Sequence, residues 1–168
     1  MRDEEDSEFE SWYVKEHSRI LSALVLMTGD LHLAQDAVDE AFVRAYDRWH
    51  RVRSLESPSG WTFKVALNLV RRVTKRANRV FTSSDIGHES ALPSKLDEIW
   101  TMVNRLSSRQ REVVVLRYIG DLTEAQVASV LGVTRGTVSQ ILRAAHSRLG
   151  EMIAIGHDCL GEECNVSR

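Results

Sequence analysis

The sequence predicts an all-α fold of two small helical bundles joined by a flexible linker, with a helix-turn-helix in the second bundle. Apolar residues recur at intervals of three, four or seven along most of the 168 residues, which is the spacing of helices with one buried face. Only 2 prolines and 9 glycines are present, so few positions interrupt a helix. Hydrophobic residues make up 43% of the chain and charged residues 27%, a balance that supports a packed core and excludes long disorder.

Three amphipathic helices are expected in the first half of the chain. The first ends near Gly29, and the second carries a stripe of small and aromatic residues from Ala34 to Trp49. The third begins at Ser57 and Pro58, an N-cap followed by a first helical position. The apolar stripes of the first and third helices comprise Phe9, Tyr13, Ile20, Leu24, Met27, Trp61, Val65, Ala66, Leu69 and Val73.

Helix starts are well marked in the second half. Three pairs have or resemble the capping-box pattern: Ser94 with Asp97, Ser107 with Gln110, and Thr123 with Gln126. Gly120 and Gly132 are expected to end the helices that follow the second and third pairs, and Thr134 caps a last helix. Residues 82–93 lose the periodicity and gather Ser, Gly and Pro, which is typical of a linker.

These patterns divide the chain into five segments. They are an acidic N-terminal tail (1–8), a first helical domain (9–81), a linker (82–93), a second helical domain (94–153) and a C-terminal tail (154–168). The first residues are acidic, unlike a signal peptide, and no apolar run approaches ~20 residues. A soluble, cytoplasmic protein is therefore expected.

Charge is distributed unevenly, although the net charge is only -2. Residues 44–80 contain ten lysines and arginines against two acids, whereas residues 1–10 contain six acids and one base. A phosphate backbone responds to such local charge, and Trp49, Trp61 and Phe63 are interleaved with the bases, as on surfaces that bind single strands. The alternative is a solvated helix face whose aromatic residues lie in the core, and charge alone leaves both readings open.

Residues 122–149 have the spacing of a helix-turn-helix, with a short helix, a turn containing Gly132 and a capped second helix. Burial of Val138, Leu142, Ala145 and Leu149 would turn short, polar and basic residues of the second helix outward. These residues include Arg135, Gly136, Ser139, Gln140 and Arg143. An ordinary helical hairpin within a bundle is the alternative.

No catalytic constellation is visible, so the chain is predicted not to be an enzyme and to need no cofactor. The six histidines are scattered, and no glycine-rich phosphate loop precedes a helix. His157, Cys159 and Cys164 lie in the tail without the four-ligand pattern of structural zinc. Free thiols are expected there rather than a metal or redox site.

Residues 104–149, NRLSSRQREVVVLRYIGDLTEAQVASVLGVTRGTVSQILRAAHSRL, resemble region 4 of bacterial sigma factors, which binds the promoter -35 element. Residues 12–49 resemble region 2 of the same family, with the Thr28-Gly29-Asp30 step and the acidic helix that follows it. Both regions occur in order, with nothing long enough for region 1 or region 3, which is the layout of the extracytoplasmic function (ECF) group of the sigma-70 family. Arg135 departs from this pattern, since the family often has an acidic residue there, as does the Ser139-Gln140-Ile141 run, where basic residues are common.

The resemblance implies a sigma factor that directs core RNA polymerase to promoters and assists melting, and it assigns roles to individual residues. Contact with the clamp helices of the largest polymerase subunit falls to Asp36, Asp39, Glu40 and Phe42. The -10 element would be bound by Arg51, Arg53, Ser59, Trp61, Asn68, Arg71, Arg72 and Arg76. The -35 element would be bound by Thr134, Arg135, Gly136, Thr137, Ser139, Gln140 and Arg143.

The resemblance also implies promoter DNA and an anti-sigma factor as partners, the latter able to hold the protein at the membrane. Two other functions remain open from the residues themselves. One is a response-regulator type of transcription factor, which would bind duplex DNA without core polymerase. The other is a helical adaptor that does not bind DNA.

Overall fold

A computed structural model describes the backbone of residues 2–80 and 100–161 and the side chains of residues 4–76 and 100–151. Every regular element in these ranges is helical, which confirms the all-α prediction. The helices are α1 (Arg2–Thr28), α2 (Leu31–Tyr46), α3 (Trp49–Val52), α4 (Pro58–Val80), α5 (Ser108–Tyr118), α6 (Glu124–Leu131) and α7 (Arg135–Gly161). Residues 100–103 are also helical. Within the described ranges, no helix combines the length and the apolar character needed to cross a membrane.

Element boundaries differ from the sequence prediction at both ends. α1 begins at Arg2, so the segment expected as an acidic tail forms its first two turns. α7 continues to Gly161, past the expected domain end at residue 153. The short helix α3 lies between the second and third helices that the sequence predicts. The predicted linker at residues 82–93 and the Ser94 capping pair lie outside the described residues.

Local side-chain chemistry sets the starts of α5 and α6. Ser107 and Gln110 form a reciprocal capping box, and so do Thr123 and Gln126, because each N-cap hydroxyl accepts from the third backbone N–H while the glutamine accepts in return. Gly132 ends α6 with φ 69°, in the left-handed region that glycine adopts without a steric penalty. The two capping pairs and this C-cap confirm the sequence prediction.

The two helical regions pack against each other. α4 contacts α6, and α1 contacts α5, so buried residues of both halves form one continuous apolar core. Gly120, at the end of α5, approaches the fully buried Phe63 of α4 so closely that an added Cβ would lie 3.1 Å from the ring. The same Cβ would lie 2.6 Å from the carbonyl oxygen of Leu116 in the preceding turn, so local backbone and the contact with Phe63 both favour glycine here.

Ion pairs supplement the apolar contact at the edge of the interface between the regions. Arg71 Nη2 of α4 lies 3.1 Å from Glu112 Oε1 of α5. Arg19 Nη1 of α1 lies 3.4 Å from Asp121 Oδ2, just after α5. Both pairs are partly solvated, so burial around Phe63 contributes more to the association than these charges do.

Candidate nucleic-acid interface

α6, the turn at Gly132 and α7 form a helix-turn-helix. The Thr134 hydroxyl oxygen accepts from the Thr137 backbone N–H at 3.1 Å and so caps the first turn of α7. Val138, Leu142 and Ala145 of α7 are buried against the rest of the second region. One face of α7 is thereby held in the core, and the opposite face is directed outward.

The outer face of α7 carries the residues that the sequence assigned to the -35 element. Arg135, Gly136, Gln140 and Arg143 are exposed, the Arg135 side chain by 75%, whereas Thr137 and Ser139 are half-buried. Space around Gly136 is open, because an added Cβ would approach only the Thr134 hydroxyl, at 3.8 Å. A face of this kind can enter a major groove and offer arginine and glutamine to base edges.

Glu124, the first residue of α6, contacts the outer face of α7. Its carboxylate accepts a short hydrogen bond from the Ser139 hydroxyl, and its Oε2 atom lies 3.7 Å from Arg135 Nε. The sequence analysis did not single out Glu124, because its importance depends on a contact across the turn. Its N-terminal position beside a predicted recognition helix is the only signal that could have indicated it.

α4 presents a basic stripe, which we define as Asn68, Arg71, Arg72, Lys75 and Arg76. All five residues are exposed and follow one another at helical spacing. On the opposite side of α4, Phe63, Ala66, Leu67 and Val70 are buried. The sequence analysis included four of these five stripe residues and missed Lys75, whose spacing from Arg71 and Arg72 was available as a signal.

Arg53 follows α3 and is held by the acidic first turns of α1. Its guanidinium donates to Glu8 at 2.8 Å and lies 3.1 Å from a Glu5 oxygen. The hydrogen bond with Glu8, together with the two negative charges, raises the pKa of Arg53 above its usual value. The first turns of α1 also contact α2, because the Tyr46 hydroxyl donates to Asp6 at 2.9 Å. Both Arg51 and Arg53 are exposed.

Ser59 and Trp61, both assigned to the -10 element, are half-buried in this arrangement. The Ser59 hydroxyl donates to Glu16 at 2.9 Å, and Glu16 is only 5% exposed. Trp61 is half-buried against the small aromatic cluster around Trp49. A buried carboxylate needs hydrogen-bond donors, and the Ser59 hydroxyl is one of those available to Glu16. The bond also connects the start of α4 to α1.

A cleft separates the start of α4 from α6 and has a volume of about 300 Å³. Leu55, Ser57 and Lys64 line it from the first region, and Gln126 and Ser129 line it from the second. The segment between α3 and α4 therefore faces α6 in this arrangement, and bound DNA would have to replace that neighbour.

The acidic face of α2 carries three of the four residues assigned to polymerase contact. Asp36, Asp39 and Glu40 are exposed, and Val43, on the same face, is exposed by 56% and was missed by the sequence analysis. Phe42 corrects the expectation, because it is 3% exposed and packs against aromatic rings of α1. Phe42 therefore holds α2 in place and does not form part of its surface.

Two residues of the acidic face have side-chain partners within the protein. His17 Nε2 lies 3.2 Å from an Asp39 oxygen, and Arg44 Nη2 lies 2.8 Å from Glu40 Oε1. Among the described residues, no group of three or more His, Cys, Asp or Glu side chains could hold a metal ion. The tail residues His157, Cys159 and Cys164 lie outside the described side chains.

Two family models match most of the chain. Residues 9–80 match sigma-70 region 2, and residues 103–151 match sigma-70 region 4. The basic stripe of α4 and the acidic face of α2 thus fall within region 2, and the helix-turn-helix falls within region 4.

Curated relatives are similar in sequence to this chain over most of their length. The ECF RNA polymerase sigma factor SigL of Mycobacterium tuberculosis is 31% identical, with 77% of this chain and 80% of the relative covered. SigM of Bacillus subtilis, also an ECF sigma factor, is 31% identical, with coverages of 75% and 83%. The RNA polymerase sigma-E factor of Streptomyces coelicolor is 26% identical, with coverages of 86% and 85%.

Solved structures share the fold. The sigma factor RpoE of Bartonella quintana, in complex with the anti-sigma factor NepR, matches with a TM-score of 0.72 and 18% identity, over 88% of this chain and 98% of that one. CnrH, in complex with the cytosolic domain of CnrY, matches with a TM-score of 0.62 and 19% identity, over 89% and 90%. With both sigma regions in order and ECF relatives matched along most of their length, this chain belongs to the ECF sigma factors of the sigma-70 family, non-enzymatic proteins that direct promoter-specific initiation by RNA polymerase.

Proposed function

We propose that this sigma factor reads the -35 element with the outer face of α7 and binds the opened -10 strand with the basic stripe of α4. The observation that carries the proposal is the presence of both surfaces on one chain. One surface is a capped recognition helix with Arg135 and Gln140 exposed, and the other is a row of cations on a helix without acidic residues. Such a pair of surfaces suits a partner that is duplex at one site and single-stranded at the other.

The chemistry at the -10 element is binding and not catalysis. Arginines of the basic stripe would neutralise phosphates of the non-template strand, and Arg51 and Arg53 would contact the strand beside α3. A base leaving the stack costs a few kcal/mol, which stacking and pocket contacts can return. The half-buried ring of Trp61 offers an apolar surface at the start of α4 for such a base.

Core polymerase is proposed to bind the acidic face of α2 through the clamp helices of its largest subunit. Asp36, Asp39 and Glu40 supply charge for a basic partner, and exposed Val43 supplies apolar area at the same face. Complementary charge of this kind favours rapid and specific association.

Polymerase binding is further proposed to separate the two regions. Arg71 of the basic stripe is paired with Glu112 of α5, and α6 lies against α4. These contacts occupy surfaces that are proposed to bind DNA. The two regions would therefore have to separate before DNA could bind at both promoter elements. An anti-sigma factor is proposed as a second partner, supported by the complexes of the similar RpoE and CnrH proteins, and the cytoplasm is the proposed site of action.

Selection from a duplex DNA library, randomised over both promoter elements, tests the proposal with holoenzyme and with the chain alone. Two sequence blocks should be recovered only with core polymerase. Arg135→Ala or Gln140→Ala should relax one or two -35 positions and leave the -10 block intact. Arg143→Ala, farther along α7, should weaken binding evenly and flatten its salt dependence. Tight, sequence-specific binding by the chain alone would instead indicate a regulator of the response-regulator type.

A further inference from the structure

Ser139 lies on the outer face of α7, one turn beyond Arg135, and its hydroxyl is already engaged. The hydroxyl donates a hydrogen bond to the Glu124 carboxylate, which belongs to the other helix of the helix-turn-helix. A serine hydroxyl has one proton and two acceptor lone pairs. While that proton is held by Glu124, Ser139 can only accept a hydrogen bond from DNA.

We propose that Glu124 is a positioning residue that sets base preference at one -35 position by fixing the polarity of Ser139. In the major groove, adenine and cytosine present an amino group that donates, whereas guanine and thymine present acceptors. A Ser139 restricted to accepting should therefore favour A or C over G or T at the base beneath it. A free serine hydroxyl would rotate and tolerate all four bases. The inference rests on the proposed reading of the -35 element by α7.

The position of Glu124 fits this role. It is the first residue of α6, and the Thr123 capping box fixes the turn that carries it. Its side chain is 32% exposed, so the carboxylate remains partly shielded from water beside α7. A carboxylate accepts but cannot donate, and hydrogen bonds to an ionised acceptor are stronger than neutral ones. These properties make the direction of the Ser139 bond fixed rather than exchangeable.

Arg135 gives Glu124 a second contact. The Arg135 Nε atom lies 3.7 Å from Glu124 Oε2 and places a positive charge beside the carboxylate. Arg135 itself is mostly exposed and free to extend toward a base. Loss of Glu124 removes one negative charge near DNA and should raise affinity for all sequences, so base ratios, not total affinity, report on the proposal.

The test uses holoenzyme and a duplex library randomised at the -35 element. Every member of the library carries the same -10 sequence, which is the one recovered in the selection with both elements randomised. Wild-type holoenzyme should enrich A or C over G or T at one position by about 2- to 10-fold, the range expected for one hydrogen bond. Glu124→Ala and Ser139→Ala should each flatten that position, and the double variant should be no flatter than either. Other -35 positions should keep their wild-type ratios.

Glu151→Ala is the matched control, because Glu151 accepts a hydrogen bond from Ser147 farther along α7. It removes the same charge and the same kind of contact, and should leave all base ratios unchanged. The proposal is overturned if Glu124→Ala keeps the A or C preference, if Ser139→Ala changes no position, or if Glu124→Ala flattens every position equally. Arg135→Ala and Gln140→Ala, run in parallel, report separately on whether α7 reads the -35 element at all.

Discussion

Arg71 of α4 and Glu112 of α5 form an ion pair 3.1 Å across the boundary between the two sigma regions. Arg109, one turn before Glu112, binds the same carboxylate at 2.9 Å, so Glu112 is shared between its own helix and the first region. The pair joins a residue proposed to bind the -10 strand to the region proposed to bind the -35 element. If Arg71 binds DNA as proposed, contact between the regions and binding of DNA compete for it.

Glu112→Gln is expected to shift the free protein toward separated regions, because the amide leaves Arg71 without a full charge partner. Partly exposed pairs contribute less than about 1 kcal/mol, so the shift should be modest. Small-angle scattering should show a larger radius of gyration, and a single-stranded -10 oligonucleotide should bind more tightly. Glu151→Gln changes the same group on the exposed side of α7 and should alter neither measurement; equal effects of the two variants would contradict a specific role for Glu112.

The acidic first turns of α1 supply a second prediction, since Glu5 and Glu8 hold Arg53. The double change Glu5→Gln and Glu8→Gln should free this arginine for phosphate and tighten binding of the -10 strand by holoenzyme. The dependence of binding on salt should become steeper by about one charge. Titration of a fluorescent -10 oligonucleotide at several salt concentrations measures both effects.

Glu10→Gln provides the control for the Arg53 contact, because Glu10 is exposed on α1. A general effect of negative charge near DNA would appear in this variant as well. Equal tightening by Glu10→Gln would show that the Arg53 contact itself is not responsible.

Polymerase contact is tested by reversing charge on the acidic face of α2. Asp39→Lys with Glu40→Lys should weaken core binding markedly, because both side chains are exposed on the proposed contact face. The free energy of unfolding should change by less than about 0.5 kcal/mol, since surface changes of this kind cost little. Unchanged core affinity, measured by competition for labelled core, would assign the polymerase contact to another face; Glu151→Lys controls for charge alone.

Gly120 provides a stability prediction. Gly120→Ala should destabilise the protein by about 1–3 kcal/mol, because its Cβ would meet the Leu116 carbonyl oxygen at 2.6 Å and Phe63 at 3.1 Å. Gly150→Ala is the matched control, since an added Cβ there meets nothing within 4 Å inside α7. That change should stabilise by up to about 1 kcal/mol through helix propensity. Urea unfolding of both variants should give opposite signs.

Short-range patterns were sufficient to predict the fold class and several helix boundaries. Both capping boxes and the left-handed Gly132 involve residues within a few positions of each other, so the sequence contains the whole interaction. The first turns of α1 contact Arg53 instead, which lies 45 residues away from Glu8. Sequence spacing does not indicate a partner at that distance, and residues 1–8 were therefore expected to be a tail.

The candidate site residues fall into the same two groups, those indicated by local spacing and those placed by distant contacts. Helical spacing indicated the outer face of α7 and most of the basic stripe, because both depend on which side of a helix is apolar. Phe42 was assigned to a surface, yet it is buried against aromatic rings of α1, and the half-buried Ser59 donates its hydroxyl to the buried Glu16. Their placement depends on how three helices meet, and Glu124 was missed because its partner lies across a turn.

The close approach of Phe63 and Gly120 has a consequence for the protein before it meets polymerase. An apolar surface shared by two regions is hidden while they are packed together, and separating them would expose it to water. Exposed patches of that kind promote aggregation. Packing of the two regions in the free chain therefore keeps this apolar surface away from water. Under the proposed separation of the regions, the partner that separates them would also have to cover the surface that it uncovers.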